Sequence, residues 1–431
     1  MSWSERDKRV LWHPFTQAYE WCAGTPLTIT GAAGNYLIDD QGRRYFDAVS
    51  SLWVTTVGHG HPAIVEAISR QAAALDHSTL LGLTHPLAIE LAERLVALAP
   101  PGLTRAFYSD SGSTAVEIAL KQAFQYWALK GRPAKRRFVH LAESYHGDTI
   151  GAVGVGGMAL FHRIFGPLIV AGIPCPSPAL DTGALAHLAT LLEQHGHEIA
   201  ALVVEPLMQG AAGMLAHPPG FLRAAADLCH QHDVLLIADE VATGFWRTGT
   251  LFACEQEAVS PDLLCLAKGL TGGTLPLAVT LATEAIYQAF VAPRAEMTTF
   301  FHGHTYTGNP IACAAALANL DLLTAPGFAD EVARTARCFT DRVADLGRHP
   351  AIKETRRRGL MAGLELQHPN GKPFPPERFT GSLVSERARA HGVIMRPLGD
   401  VLVWMPPLSS TEADLDLLAA ATRRAIDETV G

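Results

Sequence analysis

Cysteine is scarce in the sequence, and its spacing excludes two common uses. The seven cysteines are odd in number, widely separated and lack any C-x-x-C pair, so we predict neither a disulfide framework nor a thiolate metal site. No window approaches the roughly 20 apolar residues that a membrane-spanning helix needs. Residues 1–8 are polar, unlike the start of a signal peptide. We therefore expect a cytoplasmic protein that has no membrane partner.

Charged residues are few, and neither sign strongly dominates. Charged residues make up 18% of the chain, and the formal net charge is -8. The densest basic run, residues 135–137, is short and leads directly into an apolar segment, which favours a solvated turn over a polyanion site. Nucleic acid is therefore not an expected partner.

Several catalytic signatures are missing as well. There is no G-x-S-x-G turn and no Walker lysine, and no G-x-G-x-x-G follows a predicted strand, which argues against a dehydrogenase. Three His-Gly-His pairs are present, at residues 59–61, 195–197 and 302–304. Because none has a further ligand at zinc spacing, no metal site is predicted.

Short apolar runs alternate with longer segments of helical pattern between about residues 60 and 310. Continuous apolar runs are typical of strands that are covered on both faces. We therefore predict an α/β fold, with a mainly parallel sheet and helices on each side of it. The runs lie at residues 105–108, 137–141, 201–204, 234–238 and 263–267.

The two ends of the chain differ from this central part. Residues 25–50 alternate with turn signals, as in an antiparallel meander, and helical patterns followed by short strands occupy the region after residue 311. We predict that both ends together form one smaller α+β lobe. The expected boundaries are residues 1–58 and 312–431 for the small lobe and 59–311 for the large domain.

Side chains that can bind a ligand or take part in catalysis follow the predicted strands. In open α/β sheets, ligands lie beyond the carboxyl ends of the strands. Here those ends carry hydroxyls with a glycine, an aromatic ring, acids and a lysine, a set that suits pyridoxal phosphate (PLP). The positions are residues 109–114, 143–147, Glu205, 239–240 and Lys268.

Three parts of this set have candidate roles. Gly112 and Ser113 precede a helical run, where free N–H groups favour a phosphate, although an ordinary helix cap fits the same pattern. Asp239 could keep the ring nitrogen of PLP protonated, or could be a simple turn acid. Lys268 could hold the cofactor through its amine and move protons, whereas a lysine in such a position more often lies at the surface.

The ring of the cofactor also has two faces to cover. Tyr145 could stack on one face, with a core or turn tyrosine as the alternative. Val241 is two residues after Asp239 and could pack on the opposite face. A silent binding protein or scaffold would have no need of the lysine, the acid and the phosphate site together, so we favour an enzyme.

Further motifs extend over nearly the whole chain. They occupy residues 12–16, 109–113, 145–149, 205–206, 209–210, 238–245, Lys268, 271–273, 302–303, 308–310 and 396–397. Together they resemble the motifs of the class III (ω-type) aminotransferases. Within that class they are most similar to those of the biotin-pathway members that aminate 8-amino-7-oxononanoate. The alternative is another class III transaminase, which acts on an ω-amino acid or a polyamine.

The resemblance implies a PLP-dependent transferase of fold type I that works as a homodimer with shared active sites. It assigns the phosphate to Gly112 and Ser113, the ring to Tyr145, the ring nitrogen to Asp239 and the covalent link to Lys268. Small-molecule keto acid and amino donor are the implied partners.

The resemblance also implies residues that act outside this set. His304 and Thr305 would reach the phosphate of the neighbouring subunit, and Gly303 would line its substrate channel. Arg396 would receive the distant carboxylate of the keto acid, because a guanidinium forms a bidentate pair with a carboxylate. Without the resemblance, a structural ion pair would be the favoured role for Arg396.

Four positions depart from the relatives that use S-adenosylmethionine as amino donor. Those relatives typically carry tyrosine at Phe15, tryptophan at Leu52 beside Trp53, proline at His304 and glycine at Trp246. Other relatives use lysine, and Phe15 together with the stretch at residues 302–305 resembles theirs. Both donors therefore remain candidates. Phe15 and Trp53 are candidate substrate-binding residues, and Trp246 is expected to narrow the entrance.

Overall fold

A computed structural model describes residues 1–430 of the chain. Helices and strands alternate along most of it. The strands are β1 (Ile29–Ala33), β2 (Tyr36–Asp39), β3 (Arg44–Asp47), β4 (Leu103–Ser109), β5 (Arg137–Leu141), β6 (Ile173–Cys175), β7 (Ile199–Val204), β8 (Met208–Gln209), β9 (Leu215–Ala216), β10 (Leu235–Asp239), β11 (Leu263–Leu266), β12 (Ala278–Thr283), β13 (Ile352–Arg358), β14 (Met361–Leu366), β15 (Val393–Ile394), β16 (Arg396–Leu398) and β17 (Val401–Trp404).

The helices are longest around the central sheet and near the end of the chain. They are α1 (Trp3–Val10), α2 (Ala18–Ala23), α3 (Ser50–Trp53), α4 (Pro62–Ala74), α5 (Pro86–Leu98), α6 (Gly112–Leu129), α7 (Ile150–Gly154), α8 (Ala159–His162), α9 (Ala184–His195), α10 (Phe221–Gln231), α11 (Glu284–Ala289), α12 (Pro310–Leu323), α13 (Phe328–Leu346), α14 (Thr380–Ala390) and α15 (Glu412–Val430).

The central sheet has seven strands in the order β4-β12-β11-β10-β7-β5-β6. Neighbouring strands are parallel except at β12, which runs antiparallel to both β11 and β4. The residues of β7, β10 and β11 are all buried, because helices cover both faces of the sheet. The predicted α/β fold with a mainly parallel sheet is therefore confirmed. The antiparallel strand β12 was not among the predicted runs.

The two chain ends pair with each other outside this sheet. Strands β1, β2 and β3 form the predicted antiparallel meander. Strand β15 joins β3 in parallel, with Val393 opposite Phe46, so residues from both ends share one sheet. A second sheet, β13-β14-β17-β16, comes entirely from the C-terminal part. This pairing is what we expect if both chain ends form one small lobe. The boundaries of that lobe and of the large domain remain a prediction.

One sequence interpretation is wrong in detail. Lys135 was placed on a solvated turn, but its side chain is buried and donates to the carbonyl oxygens of Gly196, Ile199 and Asp233 at 2.7, 3.1 and 2.6 Å. Burial lowers the pKa of Lys135 to about 8. The lysine therefore fastens three chain segments together rather than facing water.

In residues 1–430 no single helix is long and apolar enough to span a membrane, and α12 and α13, with a bend of 76° between them, reach that length only as a pair.

Candidate active site

A cavity of about 720 Å³ opens at the carboxyl ends of the central strands. Strands β4, β5, β7, β10 and β11 each deliver a side chain or a turn to it, as the sheet topology requires. Seven of the predicted site residues line this cavity, and they are Trp53, Gly112, Ser113, Tyr145, Asp239, Val241 and Lys268.

Lys268 follows β11 and begins a short 3-10 turn. Its backbone has φ of 46°, a left-handed conformation that a non-glycine residue rarely adopts and that is often found at functional sites. The ammonium lies 4.9 Å from the centre of the Trp53 ring. Burial lowers the pKa of Lys268, while the charges of Asp239 and Glu205 act in the opposite direction. A lowered pKa increases the neutral, nucleophilic fraction of the amine.

Asp239 ends β10 and is held by two donors. Its Oδ2 lies 2.7 Å from Nδ1 of His146, and its Oδ1 accepts the backbone N–H of Val241 at 3.0 Å. Both side chains of the aspartate–histidine pair are almost fully buried. Since an ionised carboxylate only accepts, Nδ1 of His146 carries the proton and donates it. The pair fixes the orientation of the carboxylate toward the cavity.

His146 is a residue that the sequence analysis did not propose for the site. It directly follows Tyr145 within the motif at residues 145–149, and this adjacency is the sequence signal for its place in the site. Its other ring nitrogen, Nε2, has no hydrogen-bond partner in residues 1–430. The only polar contact of this imidazole in the described chain is thus the one to Asp239, which indicates a positioning role.

The start of α6 forms a cradle for an anion. Ser111 caps the helix, because its Oγ accepts the N–H of Thr114 at 3.3 Å. The first helical residues, Gly112 and Ser113, are therefore free to present backbone N–H groups to a ligand. A Cβ atom at Gly112 would lie 2.5 Å from Cγ1 of Val241, so only glycine fits between the helix and the cavity.

Tyr145 is positioned by contacts on its edge and on one face. Its hydroxyl donates to Asp148 at 2.7 Å, and its ring is stacked with His162 at 6.2 Å between centroids and 19° between planes. Burial, followed by the hydrogen bond to Asp148, raises the pKa of Tyr145 well above its usual value. The phenol therefore stays protonated. The stacked histidine supports the tyrosine ring.

A buried acid, Glu205, also lines the cavity. It accepts the N–H groups of Tyr145 and Gly210 at 3.1 and 2.9 Å. Burial raises the pKa of Glu205 to about 7. Since this acid lines the same cavity as Lys268, it contributes negative charge near the amine when it is ionised.

The predicted substrate residues Phe15 and Arg396 lie outside the cavity lining but next to each other. The guanidinium carbon of Arg396 is 5.8 Å from the centre of the Phe15 ring. Phe15 is 57% exposed, and Arg396 is half-buried. Within residues 1–430 the Arg396 side chain has no salt bridge with an acid and no hydrogen bond. The structural ion pair that was the alternative for Arg396 is therefore not present in that part of the chain.

Residues 303–305 are not brought to the cavity of the same described chain. They belong to a turn in which the N–H of His304 donates to Thr307 at 3.1 Å and Nδ1 of His304 accepts the N–H of Tyr306 at 3.1 Å. The expectation that Gly303, His304 and Thr305 act in a neighbouring subunit stays a prediction.

The remaining departures lie at the margin of the site. Leu52 is 44% exposed. The indole N–H of Trp246 donates to the carbonyl of Leu323 at 3.0 Å, and its ring packs against Phe328. This places Trp246 against α12 and α13 rather than in the lining of the described cavity, so the idea that it narrows the entrance is not supported.

Four of the residues discussed above have strained backbone conformations. Positive φ angles occur at Phe15 (50°), Trp53 (66°), Trp246 (69°) and Lys268 (46°). Bulky residues avoid this region unless the surrounding structure holds them there, at a cost of about 1–3 kcal/mol each. Of these four residues, only Trp53 and Lys268 line the cavity, and positive φ angles also occur far from it, for example at Asp233 and Ala258.

The lining fits PLP on observations made within this chain. Gly112 lets the start of α6, with its free N–H groups, lie against Val241 at the cavity, and the lining includes one lysine amine that can bond an aldehyde. The histidine-supported carboxylate of Asp239 is a suitable partner for a ring nitrogen, because an opposite charge stabilises its protonated form.

Comparison with known proteins gives the same assignment. The family model for class-III aminotransferases matches residues 20–426. The chain is 51% identical to the adenosylmethionine-8-amino-7-oxononanoate aminotransferase of Nitratidesulfovibrio vulgaris, covering 97% of this chain and 80% of the relative. It is 45% identical to the protein of the same name from Geobacter sulfurreducens, covering 99% and 97%.

Solved structures are similar over the full length. The adenosylmethionine-8-amino-7-oxononanoate aminotransferase of Methanocaldococcus jannaschii superposes with a TM-score of 0.96 at 41% identity, covering 99% of this chain and 98% of the other. A PLP-bound amine transaminase from an uncultivated Pseudomonas species gives 0.91 at 34% identity, covering 97% and 98%. The predictions of fold type I and of PLP as cofactor are confirmed. The chain belongs to the class III aminotransferase family.

Proposed function

We propose that the protein is an aminotransferase that converts 8-amino-7-oxononanoate to 7,8-diaminononanoate in biotin biosynthesis. The observation that carries the chemistry is that Lys268 lines the same cavity as the Asp239 carboxylate. The substrate is supported by the names of the relatives that match over nearly the whole chain. S-Adenosylmethionine is one candidate amino donor, and lysine is the other.

The main residues that line the cavity each have a proposed role. When bound, PLP supplies an electron-poor ring that stabilises negative charge on the adjacent carbon. Lys268 would hold the cofactor through its amine, and the same amine, when free, would take a proton from the reacting carbon and return it. Asp239, oriented by His146, holds the proton on the ring nitrogen. Gly112 and Ser113 bind the phosphate through the start of α6.

The remaining site residues orient the ring and the substrate. Tyr145 and Val241 cover the two faces of the ring, and Trp53 borders the amine. Arg396 binds the carboxylate of the keto acid, since its guanidinium has no ion-pair partner in residues 1–430 and forms bidentate pairs with carboxylates. Phe15 lies under this guanidinium and lines the same path.

The proposed assembly is a homodimer in the cytoplasm. His304 and Thr305 would reach the phosphate in the neighbouring subunit, and Gly303 would line the substrate channel there. The same turn exposes large apolar side chains, with Phe301 73% and Tyr306 63% exposed. Exposed apolar clusters of this kind are typical of surfaces that another chain covers.

A donor experiment tests the proposed function. Protein loaded with PLP is mixed separately with S-adenosylmethionine, lysine, a polyamine or an ω-amino acid, and loss of the absorbance of the Lys268-bound cofactor is followed. We expect S-adenosylmethionine or lysine to bleach it and added 8-amino-7-oxononanoate to restore it. Bleaching only by the polyamine or the ω-amino acid would favour a different class III transaminase. A Lys268→Ala variant is the control for non-covalent binding.

A further inference from the structure

A line of aromatic contacts joins the proposed carboxylate receptor to the cofactor cavity. The Arg396 guanidinium lies over Phe15, and the Phe15 ring meets Phe161 at 5.4 Å with 70° between planes. Phe161 in turn meets Tyr145 at 6.3 Å with 87° between planes. Both ring pairs are edge-to-face, a favoured aromatic geometry. Phe161 therefore stands between the guanidinium at one end and the tyrosine at the other.

The backbone beside Phe161 is anchored on both sides. Phe161 lies on the four-residue helix α8. The preceding Met158 is buried in an apolar cluster that also contains Trp53. The following His162 is buried and stacks on Tyr145. Both of these residues are held in place while the Phe161 ring is only half-buried, so part of that ring stays exposed next to Tyr145, which lines the cavity.

The chemistry of this path is apolar between two polar ends. Arg396 offers a positive charge at the outer end, and Lys268 with Asp239 provides the reacting end. The side chains between them, Phe15 and Phe161, offer only aromatic surface. A substrate that reaches both ends must therefore place an apolar chain against these rings, since a polar chain would lose its water without gaining hydrogen bonds.

We propose that Phe161 is a specificity-determining residue that selects substrates with a polymethylene chain between the carboxylate and the reacting carbon. The proposal rests on the role of Arg396 given above and adds a residue to that site. It follows that Phe161 contributes to binding of the long keto acid rather than to the proton transfers at Lys268.

The test compares the variants Phe161→Ala and Phe161→Leu with a control variant, Phe379→Leu. Phe379 directly precedes α14, and its side chain is 69% exposed. Steady-state rates are measured with 8-amino-7-oxononanoate at saturating donor. We expect Phe161→Ala to raise KM for the keto acid about ten-fold, which corresponds to losing roughly two buried methylene contacts. Phe161→Leu keeps most of the apolar surface and should show a smaller rise, and the control should match the wild type.

The KM-against-kcat split distinguishes a specificity role from a structural one. The rate of the donor half-reaction at saturation should stay within about two-fold of the wild type in all variants, because the cofactor residues are untouched. An unchanged KM in both Phe161 variants would overturn the proposal. So would an equal fall of kcat in the full reaction and of the donor half-reaction rate. If Phe161→Ala does not load the cofactor, Phe161→Leu carries the test alone.

Failure of the proposed function has a different signature. If the wild type does not aminate 8-amino-7-oxononanoate at all, the proposed substrate is wrong. The Phe161 inference is then tested with a series of straight-chain ω-amino acids of increasing length in the bleaching assay. A preference of the wild type for longer chains that Phe161→Ala flattens would support the inference, and a wild type indifferent to length would contradict it.

Discussion

The cofactor side and the substrate side of the site are built in different ways. On the cofactor side, Asp239 and Lys268 follow strands of the central sheet, the acid is buried and held by two hydrogen bonds, and the lysine is half-buried. On the substrate side, Phe15 and Arg396 come from the two chain ends, meet through ring contacts and remain partly exposed. The difference indicates that the sheet fixes the chemistry while the chain ends set the specificity. Changes on the first side should therefore lower kcat, and changes on the second should raise KM.

The largest effect is expected at Asp239, the proposed partner of the ring nitrogen of PLP. Asp239→Asn should lower kcat about 1,000-fold, because one preorganised charge at a reacting group is typically worth that much, while cofactor still binds. Stopped-flow and steady-state rates with PLP-loaded protein measure this. Asp262→Asn is the control, since Asp262 also accepts a backbone N–H, that of Leu236 at 2.8 Å, outside the cavity lining. Substantial turnover in Asp239→Asn would break the division between the two sides.

A smaller effect, and of the other kind, is expected at the carboxylate receptor. Arg396→Lys should raise KM for the keto acid about 30-fold with little change in kcat, because an ammonium cannot form the bidentate pair. Arg348→Lys, at a side chain that is 81% exposed, is the matched control. If kcat fell and KM did not change, Arg396 would belong to the chemistry rather than to recognition.

The smallest effect is expected at His146, which contacts Asp239 and not the cofactor itself. His146→Leu removes the donor to Asp239 and should lower kcat about ten-fold, the size expected for one hydrogen bond to a charged group. His146→Asn should restore much of the rate, because its amide can donate from a similar position. The pH dependence of the bound cofactor's absorbance should shift in the leucine variant and return toward that of the wild type in the asparagine variant. Equal rates and equal spectra in all three proteins would rule out the positioning role.

The sequence predicted the cofactor side well because that side follows a topological rule. Asp239 and Lys268 each come directly after an apolar run, and the carboxyl ends of such strands share one edge of a sheet. The direction of a strand has no such marker. Strand β12 is buried along nearly its whole length, as β11 is, and its antiparallel course depends on the connection that precedes it.

The substrate side was only partly predictable from sequence. Phe161 and His162 lie on a helix of four residues, too short to show a hydrophobic period, and their contacts with Tyr145 are tertiary. Lys135 was misplaced for a similar reason. Its neighbours along the chain are charged, but the carbonyl groups that bind it come from segments 61 to 98 residues away.

The central claim, that Lys268 carries the cofactor, has one direct test. The PLP-loaded protein is treated with borohydride, digested, and the peptide that retains the cofactor is identified by mass spectrometry. We predict that the added mass lies on Lys268 alone, and that Lys268→Ala retains none and does not transaminate. Attachment to another lysine, or full turnover in Lys268→Ala, would contradict the account.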